Sequence, residues 1–325
     1  MIVTIKDKQK QLNRFREKGE YFKTLSTGLS TLDEIYRIVR GYPLFIGGAV
    51  HQGKSEFTLE LAVSCAKLHG FKFAVYLGEA GLTEISIAEI CQKYIGKPYL
   101  GQFAMSESDL IEAHQFIEHH FVFLQIEDLT VKSFYEEVDK AEKELGIKFE
   151  GTILDPFNDV RNESGNHGGT HIWLEEDLKY IRKVSEKSNR LDIVVFHVSD
   201  IKPMKDDNTG QWYVRGALKT EWAGGQVVSR RAMTMLLVYV PPEWLCDETG
   251  QPYGKNKTIV YNQKAKPKGS GRLGHAVINW DWKKNRYFEE VNGVRKYMLD
   301  KPTNKIAPQM PMNVGFDSVI NENPF

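Results

Sequence analysis

The sequence predicts an α/β fold, in which a mostly parallel sheet is flanked by helices and extended by antiparallel strands near its carboxyl end. Up to about residue 240, short apolar runs alternate with longer segments of helical spacing, as in parallel sheets. Beyond Pro241, apolar runs follow one another across Gly- and Lys-rich turns, as in antiparallel strands. The predicted strands are 42–46, 73–77, 121–125, 151–154, 193–198, 233–240, 257–263, 274–280 and 285–290, and the predicted helices are 56–68, 83–95, 107–118, 131–146 and 171–189.

The amino-terminal segment is predicted to be a charged helix. Residues 5–18 read IKDKQKQLNRFREK, and the apolar positions Ile5, Leu12 and Phe15 are too sparse to build a core alone, so we expect the helix to pack against another surface. From Ser26 to Val39, cap-type residues followed by helical spacing predict a second helix before the first strand. The predicted organisation is a helix in 1–23, an α/β domain in 24–300 and a flexible, Pro- and Asn-rich tail in 301–325.

Composition limits the classes of function. The 325 residues are 41% hydrophobic, which is enough apolar material for a buried core. Lys+Arg and Asp+Glu are equal at 43 each, so a nucleic-acid site would have to be a local basic patch. The three cysteines lie far apart and predict neither a disulfide framework nor a metal cluster. No apolar run approaches about 20 residues, and we expect a cytoplasmic protein that does not contact a membrane.

The most specific motif lies between the first strand and the first long helix. Residues 48–55 read GAVHQGKS and match the P-loop pattern G-x-x-x-x-G-K-[ST]. Its glycines let backbone N–H groups surround a phosphate, its lysine contacts the β- and γ-phosphates, and its hydroxyl holds Mg²⁺. The motif predicts binding of ATP or another nucleoside triphosphate with Mg²⁺. The predicted nucleotide-binding residues are Gly48, His51, Gln52, Gly53, Lys54, Ser55, Glu56 and Asp155, of which Ser55 and Asp155 are the predicted metal ligands.

Three further polar residues follow predicted strands. Asp155 ends the run TIL, where a carboxylate can hold the Mg²⁺ water shell, although an Asp-Pro turn is the alternative. Glu79 follows AVYL and is a candidate to polarise the attacking water, or else a surface residue that caps the next helix. His197 ends IVVF at the same edge, where ligands of open α/β sheets bind, but such a histidine is often only a satisfied polar residue.

The order of these motifs resembles that of a known family. A P-loop, a glutamate one strand later, a Walker B aspartate and then a polar residue is the order of RecA-like ATPases. More narrowly, residues 24–290 resemble ring-shaped replicative helicases of the DnaB and Twinkle type, including phage versions. The segments that carry this resemblance are TGLSTLDEI, the P-loop, YLGEAGLTEI, ILDPFND, VVFHVSDIKPMKD, VRGALK and YNQKAKPKGSG.

The resemblance implies a RecA-like P-loop NTPase core with assigned roles. Lys54 would contact the phosphates, Glu79 would be the general base, and His197 would occupy the γ-phosphate sensor position. The loop from Ser199 to Lys219 would line a ring channel and hold the phosphates of single-stranded DNA. Its candidate DNA-binding residues are Lys202, Lys205, Arg215, Gly216 and Lys219, accompanied by Trp212 and Tyr213. The alternative is a solvated loop, since Asp206 and Asp207 dilute its positive charge.

In this family, a neighbouring subunit completes the active site with cations, commonly as Lys-x-Arg. Here the corresponding residues are Lys264 and Lys266, so a lysine replaces the finger arginine. Arg272 or the pair Arg230 and Arg231 could serve instead, and a solubilising turn is an equally open alternative.

The resemblance also implies partners. We expect a homo-oligomer, most simply a hexameric ring, in which the helix at 5–18 packs on the adjacent subunit. Only about 23 residues precede the match, so we expect a motor domain alone and a primase in a separate chain. The end of the tail, GFDSVINENPF, resembles acidic peptide ends that recruit replication proteins, although an inconsequential terminus is the alternative.

The sequence therefore favours an ATP-driven replicative DNA helicase motor. Two other classes stay open at this point. A RecA-like recombinase or recombination mediator would coat DNA without unwinding it, and a regulatory ATPase would use the same fold without binding DNA.

Overall fold

A computed structural model describes residues 2–19, 21–79, 81–161, 170–207 and 209–301, with Thr170 and His171 described by their backbone alone. Residues 24–301 belong to one compact unit. The segment 2–23 is a separate unit and is described by itself. The predicted tail lies outside the described residues beyond Lys301.

The amino-terminal helix has the predicted bounds. Helix α1 spans Ile5–Lys18, and Gly19 ends it in the left-handed conformation at φ 67°. None of its residues is buried, and Ile5 and Leu12 are exposed. Phe15 packs edge-on against Tyr21 at a ring-centroid distance of 5.5 Å. The packing of this helix on another surface remains a prediction.

The compact unit contains a sheet of ten strands. These ten are β3 (Leu44–Gly48), β4 (Phe73–Leu77), β5 (Phe121–Phe123), β6 (Gly151–Asp155), β7 (Leu191–His197), β10 (Thr234–Tyr239), β11 (Lys257–Lys264), β12 (Gly274–Asp281), β13 (Arg286–Val291) and β14 (Val294–Tyr297). Their order across the sheet is β14-β13-β12-β11-β10-β3-β7-β6-β4-β5. The six strands from β10 to β5 are parallel, and the four from β11 to β14 extend the sheet antiparallel. The predicted mostly parallel sheet with antiparallel carboxyl-terminal strands is confirmed.

Helices cover both faces of this sheet. They are α2 (Ser30–Asp33), α3 (Lys54–His69), α4 (Thr83–Ile95), α5 (Glu107–His120), α6 (Val131–Leu145), α7 (Thr170–Ser188) and α8 (Gly225–Arg231). One face carries apolar side chains of α3, α4 and α5, and the other carries those of α6, α7 and α8. Because both faces are covered, the central strands β3 and β6 are buried at every position and read as continuous apolar runs.

The predicted helix over 26–39 is wrong. Only the single turn α2 forms, and Ile38–Val39 (β2) pairs with Thr24–Leu25 (β1). The Asp33 carboxylate accepts hydrogen bonds from Ser26 and from Thr27, which closes the chain into a turn. The backbone N–H of Arg37 then donates to the Ser270 carbonyl at 2.7 Å, so a tertiary partner replaces the helical one.

Sequence periodicity also missed three short elements. They are the helix α8, the edge strand β14 and a hairpin of β8 (Met204–Lys205) with β9 (Trp212–Tyr213). Each is too short for its apolar spacing to be distinguished from a loop.

A buried charge cluster joins the first turn of α3 to the end of α4 and to β13. Lys93 is fully buried and donates to Glu56 at 2.6 Å, with Glu60 at 3.7 Å. The other Glu60 oxygen accepts the backbone N–H of Tyr287 at 2.7 Å. Burial raises the pKa of Glu60 to about 8, although Lys93 opposes this shift. Arg286 donates to the carbonyl of Lys93, which closes the cluster on the β13 side.

We predict that Lys93→Met lowers the free energy of unfolding by about 3–5 kcal/mol, because removal of one partner leaves buried carboxylates uncompensated. Lys97→Met is the matched control, since Lys97 is half exposed in its ion pair with Asp109 and its removal should have little effect. Denaturant unfolding of both variants measures the difference, and equal losses would contradict a structural role for the buried cluster.

Candidate active site

Four parallel strands bring the predicted site residues to one edge of the sheet. Gly48, the last residue of β3, pairs with His197, the last residue of β7. On the next strands, Asp155 of β6 pairs with Leu77 of β4, which precedes Glu79 by two residues. Since the strands are parallel, all four carboxyl ends lie at the same edge, where ligands of such sheets bind.

The P-loop has the backbone that its sequence requires. Gly53 lies in the left-handed region at φ 75°, and His51 lies there at φ 62° without being a glycine. A Cβ on Gly48 would come within 2.8 Å of the Val238 carbonyl oxygen, so a side chain does not fit at this position. The loop ends at Lys54, the first residue of α3, and its N–H groups therefore lie at a helix N-terminus.

Lys54 is held in the loop. Its side chain is buried, and its ammonium group donates to the Ala49 carbonyl at 3.2 Å. Burial lowers the pKa of Lys54, whereas Asp155 and Glu79 act in the opposite direction. A buried cation within a ring of backbone amides is a suitable partner for a polyanion.

Asp155 and Ser55 form a donor set that fits Mg²⁺. Asp155 is 3% exposed, and burial raises its pKa to about 6, opposed by a hydrogen bond from the Ser55 hydroxyl and by Lys54. Its Oδ1 atom has no hydrogen-bond partner among the described residues. An orphaned buried carboxylate oxygen beside a hydroxyl is what a hard cation would satisfy. The described residues contain no cluster of three His, Cys, Asp or Glu side chains around a metal position, which agrees with a cation that retains water and phosphate ligands.

Glu79 and His197 are in direct contact. The His197 Nε2 atom lies 2.8 Å from Glu79 Oε1, and the Glu79 side chain is 53% exposed at the mouth of the site. The backbone N–H of His197 donates to the Asn158 side-chain oxygen at 3.0 Å, which fixes the end of β7. The contact joins the candidate base to the candidate sensor before any ligand is bound.

Sequence reasoning missed Asn158 and Asp159. Both lie in the segment ILDPFND, of which only Asp155 received a role. Asp159 lies against Gly78, because a Cβ on Gly78 would come within 2.5 Å of its Oδ2 atom. Burial and the nearby Glu79 raise the pKa of Asp159. A third carboxylate therefore lies beside the candidate base, and the motif contained this signal.

Several predicted nucleotide-binding side chains have other partners. The Glu56 carboxylate binds Lys93 in the buried cluster described above. The Gln52 side-chain oxygen accepts the backbone N–H of Val240, which fastens the loop to the end of β10. The side chain of His51 is exposed. For these residues a direct role in nucleotide binding remains a prediction.

The candidate finger residues lie far from the P-loop of their own chain. Lys264 pairs with Met235, which in turn pairs with Phe45, three residues before Gly48 on β3. At about 3.3 Å per residue, these lysines begin roughly 10 Å back from the edge that carries the site.

The candidate finger cations differ in their partners. Lys264 donates to the carbonyls of Ser229 and Arg230 at 2.6 and 3.0 Å, and burial, with nearby Lys266 and Lys219, lowers its pKa to about 8. Three arginines are occupied by side chains of their own chain: Arg272 by Glu34, Arg230 by Gln226, and Arg231 by Glu175. The side chain of Lys266 is exposed, and no carboxylate among the described residues forms an ion pair with it. Of the candidates, Lys266 is the one most available to another molecule.

The predicted DNA loop is anchored directly behind His197. Val198 forms a bridge with Trp222, and the N–H of Ala223 donates to the His197 carbonyl at 2.9 Å. The Trp222 ring is fully buried against the P-loop strand, since a Cβ on Gly47 would come within 2.7 Å of it. The loop therefore starts from a ladder that touches both the sensor strand and the P-loop strand.

The predicted DNA-binding residues have different environments. Arg215 forms a two-pronged ion pair with Glu221 at 2.6 and 2.8 Å, and it also donates to the carbonyl of Gly216, which is buried. The other three are exposed: Lys202, Lys205 and Lys219. Arg215 thus stabilises the loop within its own chain, and the three lysines are accessible.

Comparison with known proteins gives a match at the level of structure. The sequence matches no family model, and no curated protein matches it. A solved ATPase domain of a DnaB-like helicase superposes with a TM-score of 0.69 at 14% identity, over 88% of this chain and 99% of that one. The chain has the RecA-like fold. A DnaB-like replicative helicase, solved for its interactions with primase, gives a TM-score of 0.65 at 12% identity, over 88% of this chain and 67% of that one. The RadB recombinase gives 0.51 at 16% identity, over 79% of this chain and 96% of that one.

The resemblance to DnaB-type ATPase domains is thereby confirmed for the fold. The RecA-like core explains why the P-loop, Glu79, Asp155 and His197 share one edge of the sheet. No helix among the described residues has the length and apolar character to cross a bilayer.

We predict that His51→Gly binds nucleotide within about twofold of the original chain, because the positive φ of His51 suits glycine and its side chain is exposed. His51→Val should weaken binding about tenfold, since a β-branched residue is strained in that conformation. Titration with a fluorescent ATP analogue measures both variants. Equal losses would show that the imidazole itself contacts the nucleotide.

Proposed function

We propose that the protein is an ATP-driven DNA helicase motor that hydrolyses ATP between the subunits of a ring and moves on single-stranded DNA. The observation that carries this proposal is the Glu79–His197 contact, because it joins the candidate catalytic base to the strand from which the candidate DNA loop departs. The RecA-like fold supports the ATPase part of the proposal. The DNA part is supported by the resemblance of the sequence and by the anchoring of the loop.

Binding would use the P-loop and its neighbours. The backbone N–H groups between Gly48 and Ser55 surround the phosphates, and Lys54 contributes a buried positive charge. Asp155 and Ser55 would hold Mg²⁺, which supplies charge neutralisation for the phosphates when bound. The orphaned Asp155 oxygen is the structural reason for this assignment.

Hydrolysis would use Glu79 as the general base. Its carboxylate lies at the mouth of the site and is half exposed, so a water molecule can reach it. His197 donates to or accepts from this carboxylate, and its position fixes the Glu79 side chain. Formation of a γ-phosphate contact by His197 would compete with that hydrogen bond and free Glu79 to orient the attacking water.

The movement of His197 would reach the DNA loop through the backbone. Ala223 and His197 are joined by a hydrogen bond, and Trp222 is packed on Gly47 of the P-loop strand. A tightly packed aromatic cannot yield without moving its neighbours, so a shift at the strand end is transmitted to the base of the loop.

A neighbouring subunit would complete the site. Lys264 and Lys266 lie behind the edge that carries their own P-loop, so they cannot serve the site of their own chain. Lys264 caps the end of α8 with its ammonium group, whereas Lys266 is exposed. We therefore assign the finger role to Lys266, acting on the adjacent chain in the ring.

The first prediction concerns DNA-stimulated hydrolysis. Single-stranded DNA should raise the ATPase rate of the original chain, and Glu79→Gln should lower the rate about 10²- to 10⁴-fold while nucleotide binding is retained, because only the base is removed. Lys54→Ala should lose binding as well. Glu84→Gln, an exposed glutamate in the first turn of α4, is the matched control.

A rate that single-stranded DNA leaves unchanged would contradict the helicase proposal and favour a regulatory ATPase. DNA stimulation without unwinding of a forked duplex would instead favour a recombinase, in line with the weaker RadB match.

The second prediction concerns the shared site. Lys266→Ala and Glu79→Gln should each be inactive alone, but an equal mixture should recover activity, because about one quarter of randomly formed interfaces then pair an intact base with an intact finger. Steady-state ATPase assays of co-refolded mixtures measure this recovery. Lys268→Ala, another exposed lysine of the same turn, should remain active alone. An active Lys266→Ala variant would transfer the finger role to another residue.

A further inference from the structure

The loop after β7 carries a small hairpin with a defined orientation. Its strands β8 and β9 pair Met204 with Tyr213 and Lys205 with Trp212. The Asp206 carboxylate accepts the Thr209 N–H and hydroxyl at 2.7 and 2.8 Å, which closes the turn between the strands. Because side chains alternate along a strand, each directly opposed pair projects from one side of the hairpin.

One side of the hairpin is fastened to the rest of the chain. Tyr213 packs edge-on against Trp244 at a ring-centroid distance of 5.9 Å. The Tyr239 hydroxyl donates to the Val214 carbonyl at 3.0 Å, and the Arg215–Glu221 ion pair holds the returning chain. These contacts orient the Met204–Tyr213 side toward the protein.

The other side of the hairpin projects away from it. Trp212 is 68% exposed, and its cross-strand partner Lys205 is also exposed. A single exposed apolar residue is ordinary on a protein surface. Here, however, the indole is fixed beside a cation on a preorganised hairpin, which is the combination that binds the bases and phosphates of single strands.

The charges of the loop make a purely electrostatic grip weak. Arg215 is consumed by Glu221, and Asp206 and Asp207 lie in the hairpin turn. Three exposed lysines remain, so few phosphates can be neutralised at one loop and little affinity comes from counterion release. Stacking of a base on an aromatic ring does not depend on salt and adds affinity where cations are few.

We propose that Trp212 is a base-stacking residue, and that Trp212 and Lys205 together hold one nucleotide of single-stranded DNA, with its base on the indole and its phosphate at the ammonium group. This inference rests on the proposed function, because it presupposes that the loop contacts single-stranded DNA. A second copy of the chain is a poorer occupant. A lone indole among polar turn residues offers far less area than the roughly 800 Å² per partner of a stable interface.

The experiment compares a thymidine oligonucleotide with an abasic strand of the same length and charge, each labelled with a fluorophore and mixed with the full chain, Mg²⁺ and a non-hydrolysable ATP analogue. Trp212→Ala should weaken binding of the thymidine strand about 5- to 100-fold, and Trp212→Phe should retain most of it. On the abasic strand the original chain and Trp212→Ala should bind equally. Trp282→Ala is the matched control, since Trp282 is 67% exposed outside the hairpin and should change nothing.

Salt dependence provides an independent readout. Trp212→Ala should leave the slope of log affinity against log salt unchanged, whereas Lys205→Ala should reduce it by about 0.7, the contribution of one phosphate on a single strand.

The outcomes separate the two proposals. If the original chain binds neither strand, the proposed function fails and this inference fails with it. If the chain binds DNA but Trp212→Ala binds the thymidine strand normally, or loses affinity equally on both strands, only the stacking role is overturned. A changed oligomeric state of Trp212→Ala in sedimentation would explain an equal loss as an interface between copies.

Discussion

The parallel pairing of β3 with β7 is the constraint on which the site depends. It places Gly48 directly beside His197, and β6 and β4 then bring Asp155 and Glu79 to the same edge. A slip of one residue in this register would turn every side chain of a strand to the opposite face. The apolar cover on both faces of the sheet prevents such a slip, because β3 and β6 are buried at every position. Core packing thus sets the positions of the polar groups at the edge.

A second constraint holds the P-loop from behind. The cluster of Lys93, Glu56 and Glu60 connects the first turns of α3 to α4 and to β13, and the Tyr287 hydroxyl lies 3.2 Å from where a Gly53 Cβ would be. The antiparallel extension of the sheet is therefore more than an edge, since it supports the phosphate-binding loop. Trp222 on Gly47 supports the same strand from the other face. A loop held on both sides can keep its amides preorganised for a polyanion.

The long elements were predictable because their apolar periods extend over many residues. Helices α1 and α4 and strand β4 have the predicted bounds, and the other long elements agree within a few residues. The helix predicted over 26–39 was wrong, because Asp33 and the Ser270 carbonyl, the latter far away in sequence, satisfy backbone and side-chain groups that a helix would have used. Asn158 and Asp159 were present in a recognised motif but gained a role only when β7 and Gly78 were placed beside them.

By itself, the sequence determined the fold class, the P-loop and the strand-end residues Glu79, Asp155 and His197, because local period and motif spacing are properties of the chain. Only the tertiary structure decided which charged residues are available. It paired Glu56 with Lys93 and Arg215 with Glu221, and it left Lys266, Lys205 and Trp212 at the surface. The physical reason is that a charge or a ring acts through its partners and its exposure, and both are set by residues distant in sequence.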